Sequence, residues 1–217
     1  MYTIGLIDDE LSEIKKIRRT IKQNASILET EYAFKSYDIP TTSDEVVDLL
    51  FSDVLRDIEN SRISALIIDY KIIVSTIKIK GTDIFKKVKD RVVQFPVIIL
   101  TEVVAESILP DFVDADKVYE KRFFFRLQDD YSKEKVEHIF DSMKKYVAQK
   151  DEITVKLDLL KDKLSDGDRN AIKEILELEK KLDAFIPVNQ TQFDMVFNEG
   201  KVTEIMRMLN EINGMLG

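Results

Sequence analysis

Two short apolar runs that stop abruptly in acid constrain this chain more than anything else in it. The first is Ile4-Gly5-Leu6-Ile7-Asp8-Asp9-Glu10 and the second is Ala65-Leu66-Ile67-Ile68-Asp69. Near-continuous apolar runs of this length fit strands buried on both faces. In an open α/β sheet, ligands bind at the carboxyl ends of such strands. Two strands that both end in Asp predict one acidic pocket and one bound cation.

The remainder of the chain alternates between strand and helix patterns. Leu11, Ile14, Ile17, Arg18 and Ile21 recur at helical spacing, with Asp9 or Ser12 as the cap. Residues 31–37 suit a second strand, and 39–43 a turn in which Ser43 caps a helix carrying Val46, Leu50, Val54 and Ile58. Residues 63–69 form the third strand. Lys71 to Lys80 is β-branched and basic without clear period, and reads as a loop or short ribbon. Gly81-Thr82-Asp83 opens a helix with Ile84, Phe85 and Val88 facing inward. Residues 95–101 form a fully buried strand. A short helix is expected over 104–109, a fifth strand over 117–121, and a helix from Ser132 with Val136, Ile139, Phe140, Met143 and Val147.

Five strands alternating with helices predict a five-stranded parallel, doubly wound (flavodoxin-like) sheet with helices on both faces. After residue 148 no strand signal remains. The expected organisation is therefore an α/β domain over 1–148 and a small all-α domain over 149–217. Ile153, Leu157, Leu160 and Leu164 give one apolar stripe, which can continue the preceding helix, and Ile172, Ile175, Leu176, Leu178, Leu182 and Phe185 a second. These stripes suit a helical hairpin and equally a coiled-coil homodimer seam. Two further helices are expected over 189–197 and 202–215.

Composition narrows the chemistry. The 217 residues carry 33 basic and 41 acidic side chains, a net charge of −8, which disfavours nucleic acid and anionic membranes as partners. The segment from Asp151 onward holds 9 basic and 14 acidic residues, a net of −5, with no basic recognition helix. There is no cysteine, so thiol catalysis and thiolate metal sites are excluded, and His138 is the whole imidazole supply. No signal peptide or membrane-spanning run is evident, and the expected location is the cytoplasm. Asp166, Asp168, Asn170 and Glu177 mimic a calcium loop, but Ala171 stands where that loop needs glycine, so a capped turn is the better reading. His138 reads as a packed or solvated helix residue.

What remains is a constellation at successive strand ends: Asp8 and Asp9, then Asp69, Thr101 and Lys121. Three close carboxylates repel unless a cation joins them. Mg²⁺ suits the site, being hard and commonly held by one or two carboxylates with phosphate oxygens and water. An ammonium and a hydroxyl beside it complete a site shaped for a phosphoryl group, with one carboxylate attacking in line.

Ile4-Gly5-Leu6-Ile7-Asp8-Asp9-Glu10, Leu66-Ile67-Ile68-Asp69, Val97-Ile98-Ile99-Leu100-Thr101 and Ala115-Asp116-Lys117-Val118-Tyr119-Glu120-Lys121 resemble, in this order, the signatures of response-regulator receiver domains. The resemblance covers residues 1–148. It implies that Asp69 accepts a phosphoryl group from the phosphohistidine of a histidine kinase or phosphotransfer protein. It implies that Asp9, Asp69 and the backbone carbonyl of Lys71 bind Mg²⁺, with Asp8 acting through water. Thr101 and Lys121 then grip the phosphoryl oxygens and shift the adjoining loops. The chain is thus expected to be a phosphoacceptor rather than a turnover enzyme, its helical segment reporting to a protein partner. A haloacid-type phosphatase needs a second Asp two residues after the nucleophile, and that position is Lys71.

The sequence departs from the family pattern in four places. The loop from Asp69 to Gly81 is longer and lacks its proline. Glu102 follows the switch threonine where a small residue is usual. Val118 occupies the aromatic switch position, and Arg122 replaces the proline after the lysine. Glu102, Val118 and Arg122 favour a second reading, a pseudo-receiver that serves as a scaffold or dimerisation module without phosphorylation.

Overall fold

The computed structural model describes residues 1–40, 46–74, 77–103, 115–127, 129–165 and 171–187. Its strands are β1 (Tyr2–Ile7), β2 (Tyr32–Ser36), β3 (Ala65–Asp69), β4 (Lys71–Val74), β5 (Ile77–Lys80), β6 (Val97–Thr101) and β7 (Val118–Glu120). Its α-helices are α1 (Leu11–Asn24), α2 (Val46–Glu59), α3 (Gly81–Arg91), α4 (Lys121–Phe124), α5 (Asp130–Ser165) and α6 (Ala171–Leu182). Five strands pair in parallel in the order β2-β1-β3-β6-β7. That is the doubly wound, flavodoxin-like order, with its switch point between β1 and β3.

The strand sequences account for the layers. Every residue of β3 and of β6 is buried, as the unbroken apolar runs require when helices cover both faces. On one face Ile4, Leu6, Ile67, Ile98 and Leu100 pack with Ile14, Ile17 and Ile21 of α1 and Val136, Ile139, Phe140 and Met143 of α5. On the other, Leu66, Ile68, Val97 and Ile99 pack with Leu50, Val54 and Ile58 of α2 and Ile84, Phe85 and Val88 of α3. Each fully buried aliphatic or aromatic side chain of this kind contributes roughly 1.5–3 kcal/mol relative to exposure.

The stretch between Asp69 and the third helix is a ribbon, as one of the two expectations held. β4 and β5 form an antiparallel hairpin in the register Lys71↔Lys80, Ile72↔Ile79, Ile73↔Lys78 and Val74↔Ile77. Ile72, Val74 and Ile79 enter the core, while Lys71, Ile73, Lys78 and Lys80 face solvent. Period-two alternation is present in the sequence, but lysines occupy the outward positions and mask it. Gly81 ends the hairpin and opens α3. A Cβ there would lie 2.2 Å from the Asp69 carbonyl oxygen, so the helix start packs directly on the strand end.

Several local expectations are corrected. Glu10, not Asp9 or Ser12, precedes α1, and no side chain caps it. The Asp8 carboxylate instead accepts the Glu10 N–H at 2.8 Å, and Asp9 is engaged elsewhere. The last helix of the sheet region starts at Asp130 rather than Ser132, with the Asp129 carboxylate accepting the Tyr131 N–H at 3.0 Å. Ser132 is buried, donating to the Phe124 carbonyl at 2.8 Å and accepting from Asn24 at 3.2 Å. His138 is exposed on this helix. The strand expected over 117–121 is Val118–Glu120, and Lys121 begins α4.

The boundary expected at 148/149 lies inside α5, which runs 36 residues without glycine or proline. Its first half faces the sheet and its second half packs Leu157 and Leu160 against Ala171, Ile175 and Leu178 of α6, so the two stripes form a hairpin within the chain. Tyr146 stacks on Phe185 and donates to its carbonyl at 2.7 Å, and the Gln94 N–H donates to the Ala184 carbonyl at 2.9 Å. Met1–Ile186 form one compact unit. The Ser43 cap, the helix at 104–109, the calcium-like turn at 166–170 and the helices at 189–197 and 202–215 lie outside the described residues. Among the described residues, no helix is long and apolar enough to cross a membrane.

Candidate functional site

The carboxyl ends of β1, β3 and β6 and the start of α4 meet at one edge of the sheet. Asp8 and Asp9 follow β1, Asp69 closes β3, Thr101 closes β6, and Lys121 follows β7. One carboxylate oxygen from each of Asp8, Asp9 and Asp69 lies within 4.8 Å of the others. Lys121 Nζ stands 3.0 Å from Asp69 Oδ1 and 3.6 Å from Asp8 Oδ2. Register places these groups side by side: β3 pairs with both β1 and β6, aligning Ile68 with Ile7 and Asp69 with Leu100.

The pocket is a cleft of about 280 Å³ lined by Asp69, Lys71, Thr101, Glu102 and Lys121, together with Glu10 and Glu13. The Thr101 hydroxyl is buried and bonded to the backbone of Val103 at 3.2 Å. Val118 is buried in the core, and Arg122 is exposed, pairing with Glu120 at 3.0 Å.

Lys71 contributes through its backbone. The Gly81 N–H donates to the Tyr70 carbonyl at 2.8 Å, which makes that pair the bonded one at the hairpin stem. Bonded and non-bonded pairs alternate along an antiparallel ladder, so the backbone groups of Lys71 and Ile73 point away from β5, toward the acids. Accordingly, the Ile73 N–H donates to Asp9 Oδ2 at 3.1 Å, and the Lys71 backbone bonds the Asp69 carboxylate.

Charge is compressed here. Burial pushes the Asp8 carboxyl up to about 6, against the opposing pull of the Glu10 N–H and Lys121, with Asp69 and Asp9 adding repulsion. Burial also raises Asp69, partly offset by Lys121 and the Lys71 backbone. For Lys121, burial acts to lower the value, but Asp69, Asp8 and Glu13 outweigh it and the net shift is upward. Asp8 Oδ2 is buried without a hydrogen-bond partner. A buried orphan oxygen, two neighbouring carboxylates and an all-oxygen donor set fit a hard divalent cation.

Glu13 did not stand out from the sequence. It lies in the first turn of α1, and its Oε2 is 3.6 Å from Lys121 Nζ. The apolar stripe of α1 identifies the buried face, and a carboxylate beside that stripe gives no signal of its own. The Ile73 amide was equally invisible, because its role depends on the hairpin register.

No protein-family model and no curated protein sequence matches the chain. Among solved structures, it is similar to the RcsB response regulator of Salmonella typhimurium, whose structure was reported for conformational dynamism in DNA interaction. The identity is 12% over 90% of this chain and 98% of that one, with a TM-score of 0.39. A likeness of this size adds nothing to what the strand order already establishes.

Proposed function

We propose that this chain is a receiver-type response regulator that accepts a phosphoryl group on Asp69 in a Mg²⁺-dependent transfer. The observation that carries the reading is the Lys121–Asp69 contact of 3.0 Å inside a cluster of three carboxylates at one sheet edge. Mg²⁺, when bound, supplies charge neutralisation of the phosphoryl oxygens. Asp8, Asp9, Asp69 and the Lys71 carbonyl are the groups that would hold it, Asp8 through water.

The chain's own residues supply the rest. Asp69 is the nucleophile: its carboxylate oxygen bonds phosphorus as the donor's bond to phosphorus breaks. Lys121 lies close enough to offer an ammonium to a developing equatorial oxygen. Thr101 lines the same cleft, and its hydroxyl exchanges its bond to Val103 for one to the phosphoryl group, which alters the loop that follows. The proposed donor is a phosphohistidine on a histidine kinase or phosphotransfer protein, and the proposed output runs through α5 and α6 to a protein partner.

A second reading is a pseudo-receiver that acts as a scaffold. Glu102 favours it, since this carboxylate lines the cleft through which a phosphodonor must approach. The two readings separate on one experiment: incubation with acetyl phosphate and Mg²⁺, read by intact mass. One added phosphoryl group on wild type and none on Asp69→Asn supports the first; no adduct on either supports the second.

A further inference from the structure

The group that sets Lys121 apart from a simple counterion is Glu13. The lysine ammonium is surrounded by three carboxylates, Asp69 at 3.0 Å and Asp8 and Glu13 at 3.6 Å each. Two of the three belong to the acid cluster that a cation would join. Glu13 does not belong to it. It reaches the lysine from α1, its side chain is only 12% exposed, and its other oxygen pairs with Lys16 at the surface. A cation held by Asp8, Asp9 and Asp69 therefore leaves the negative charge of Glu13 beside Lys121. Glu10 and Glu102 line the same cleft.

From this geometry, and resting on the phosphoacceptor reading of Asp69, we infer that Glu13 is a positioning residue that withholds Lys121 from an incoming anion and so disfavours small anionic phosphodonors. When acetyl phosphate reacts, the acyl O–P bond breaks, a bond forms from an Asp69 carboxylate oxygen to phosphorus, and acetate leaves with the electron pair. No net proton is required. Throughout, the donor carries negative charge that Lys121 must meet. An ammonium held by Glu13 gives up part of that interaction, and the Glu13 charge repels the donor on approach. A donor with less negative charge suffers less. The site is thereby biased toward donors that bring compensating positive charge, as a protein surface can, over free acyl phosphates.

The test compares initial labelling rates of the full chain with acetyl phosphate and with phosphoramidate, each with Mg²⁺, by intact mass. Variants are Glu13→Gln, which keeps the shape and removes the charge, and Glu13→Asp, which keeps the charge. The expected result is labelling by acetyl phosphate roughly three- to tenfold faster in Glu13→Gln, from loss of one screened unit charge. Phosphoramidate labelling should rise less, and Glu13→Asp should stay near wild type. A purely structural role for Glu13 moves both donors together, so an equal change with both, or no acceleration with acetyl phosphate, overturns the inference. Wild type that takes no label from either donor overturns instead the phosphoacceptor reading on which it rests.

Discussion

Lys121 Nζ lies 3.0 Å from Asp69 Oδ1, with the lysine side chain 7% exposed and the aspartate 10%. Fifty-one residues of chain lie between them, yet each depends on the other for its charged state. Burial alone would neutralise both. Lys121→Met leaves Asp8 and Asp69 buried with no ammonium between them. The expected cost is about 3–5 kcal/mol at neutral pH, the usual penalty for orphaning one side of a buried ion pair. Urea denaturation should show the loss shrinking in acid, where the carboxylates protonate, and on addition of Mg²⁺.

Asp8 carries the clearest pH signature. Its value in the folded chain is about 6, above the ordinary 3.8, so the folded state binds this proton more tightly than the unfolded state does. Stability is therefore lost as pH rises from about 4 through about 6. Asp8→Asn removes this cost and should stabilise the protein by about 1–2 kcal/mol above neutrality, read by denaturant midpoint. A cation competes for the same carboxylate, so calorimetric Mg²⁺ affinity should weaken below about pH 6 in wild type and show a shallower slope in the variant, where the raised Asp69 carboxyl still titrates.

Asp9 ties the β4–β5 hairpin to the site through the Ile73 N–H at 3.1 Å. Asp9→Ala breaks that tie while Ile72, Val74 and Ile79 keep their places in the core. Hydrogen exchange should show faster exchange at Ile73 and its neighbours on the outer edge, with β1 and β3 unchanged. Unaltered exchange at Ile73 would mean that the core contacts alone hold the hairpin.

Gly81→Ala puts a Cβ 2.2 Å from the Asp69 carbonyl oxygen, a contact that only a backbone shift relieves. The expected loss is about 2–4 kcal/mol, seen as a lower thermal midpoint, because the neighbour is a buried strand end rather than a flexible side chain.

The sheet and its order were legible because Ile4–Ile7, Ala65–Ile68 and Val97–Leu100 are apolar without interruption, and because Asp8, Asp69 and Thr101 each follow directly on such a run, with Lys121 ending the shorter Val118-Tyr119-Glu120 stretch. The hairpin was half legible. Its inward positions Ile72, Val74 and Ile79 alternate properly, but the outward lysines look like a charged loop until register is known. The single helix from Asp130 to Ser165 was half legible: the stripe from Ile153 can continue the preceding helix, but its partner changes along the way. Residues Val136 to Met143 answer the sheet, Leu157 and Leu160 answer α6, and a shift of facing reads as a domain boundary in one dimension. Glu13 and the Ile73 amide were not legible at all. Both act through contacts across 60 or more residues that carry no periodic trace.

Cation-dependent acceptance of a phosphoryl group on Asp69 has a direct readout in the mass of the intact chain. Wild type and Asp69→Asn are incubated with acetyl phosphate, with Mg²⁺ and with chelator, and followed by intact mass. One added phosphoryl group is expected on wild type with Mg²⁺, lost with chelator and absent from Asp69→Asn. No adduct on wild type, or an equal adduct on Asp69→Asn, would contradict it.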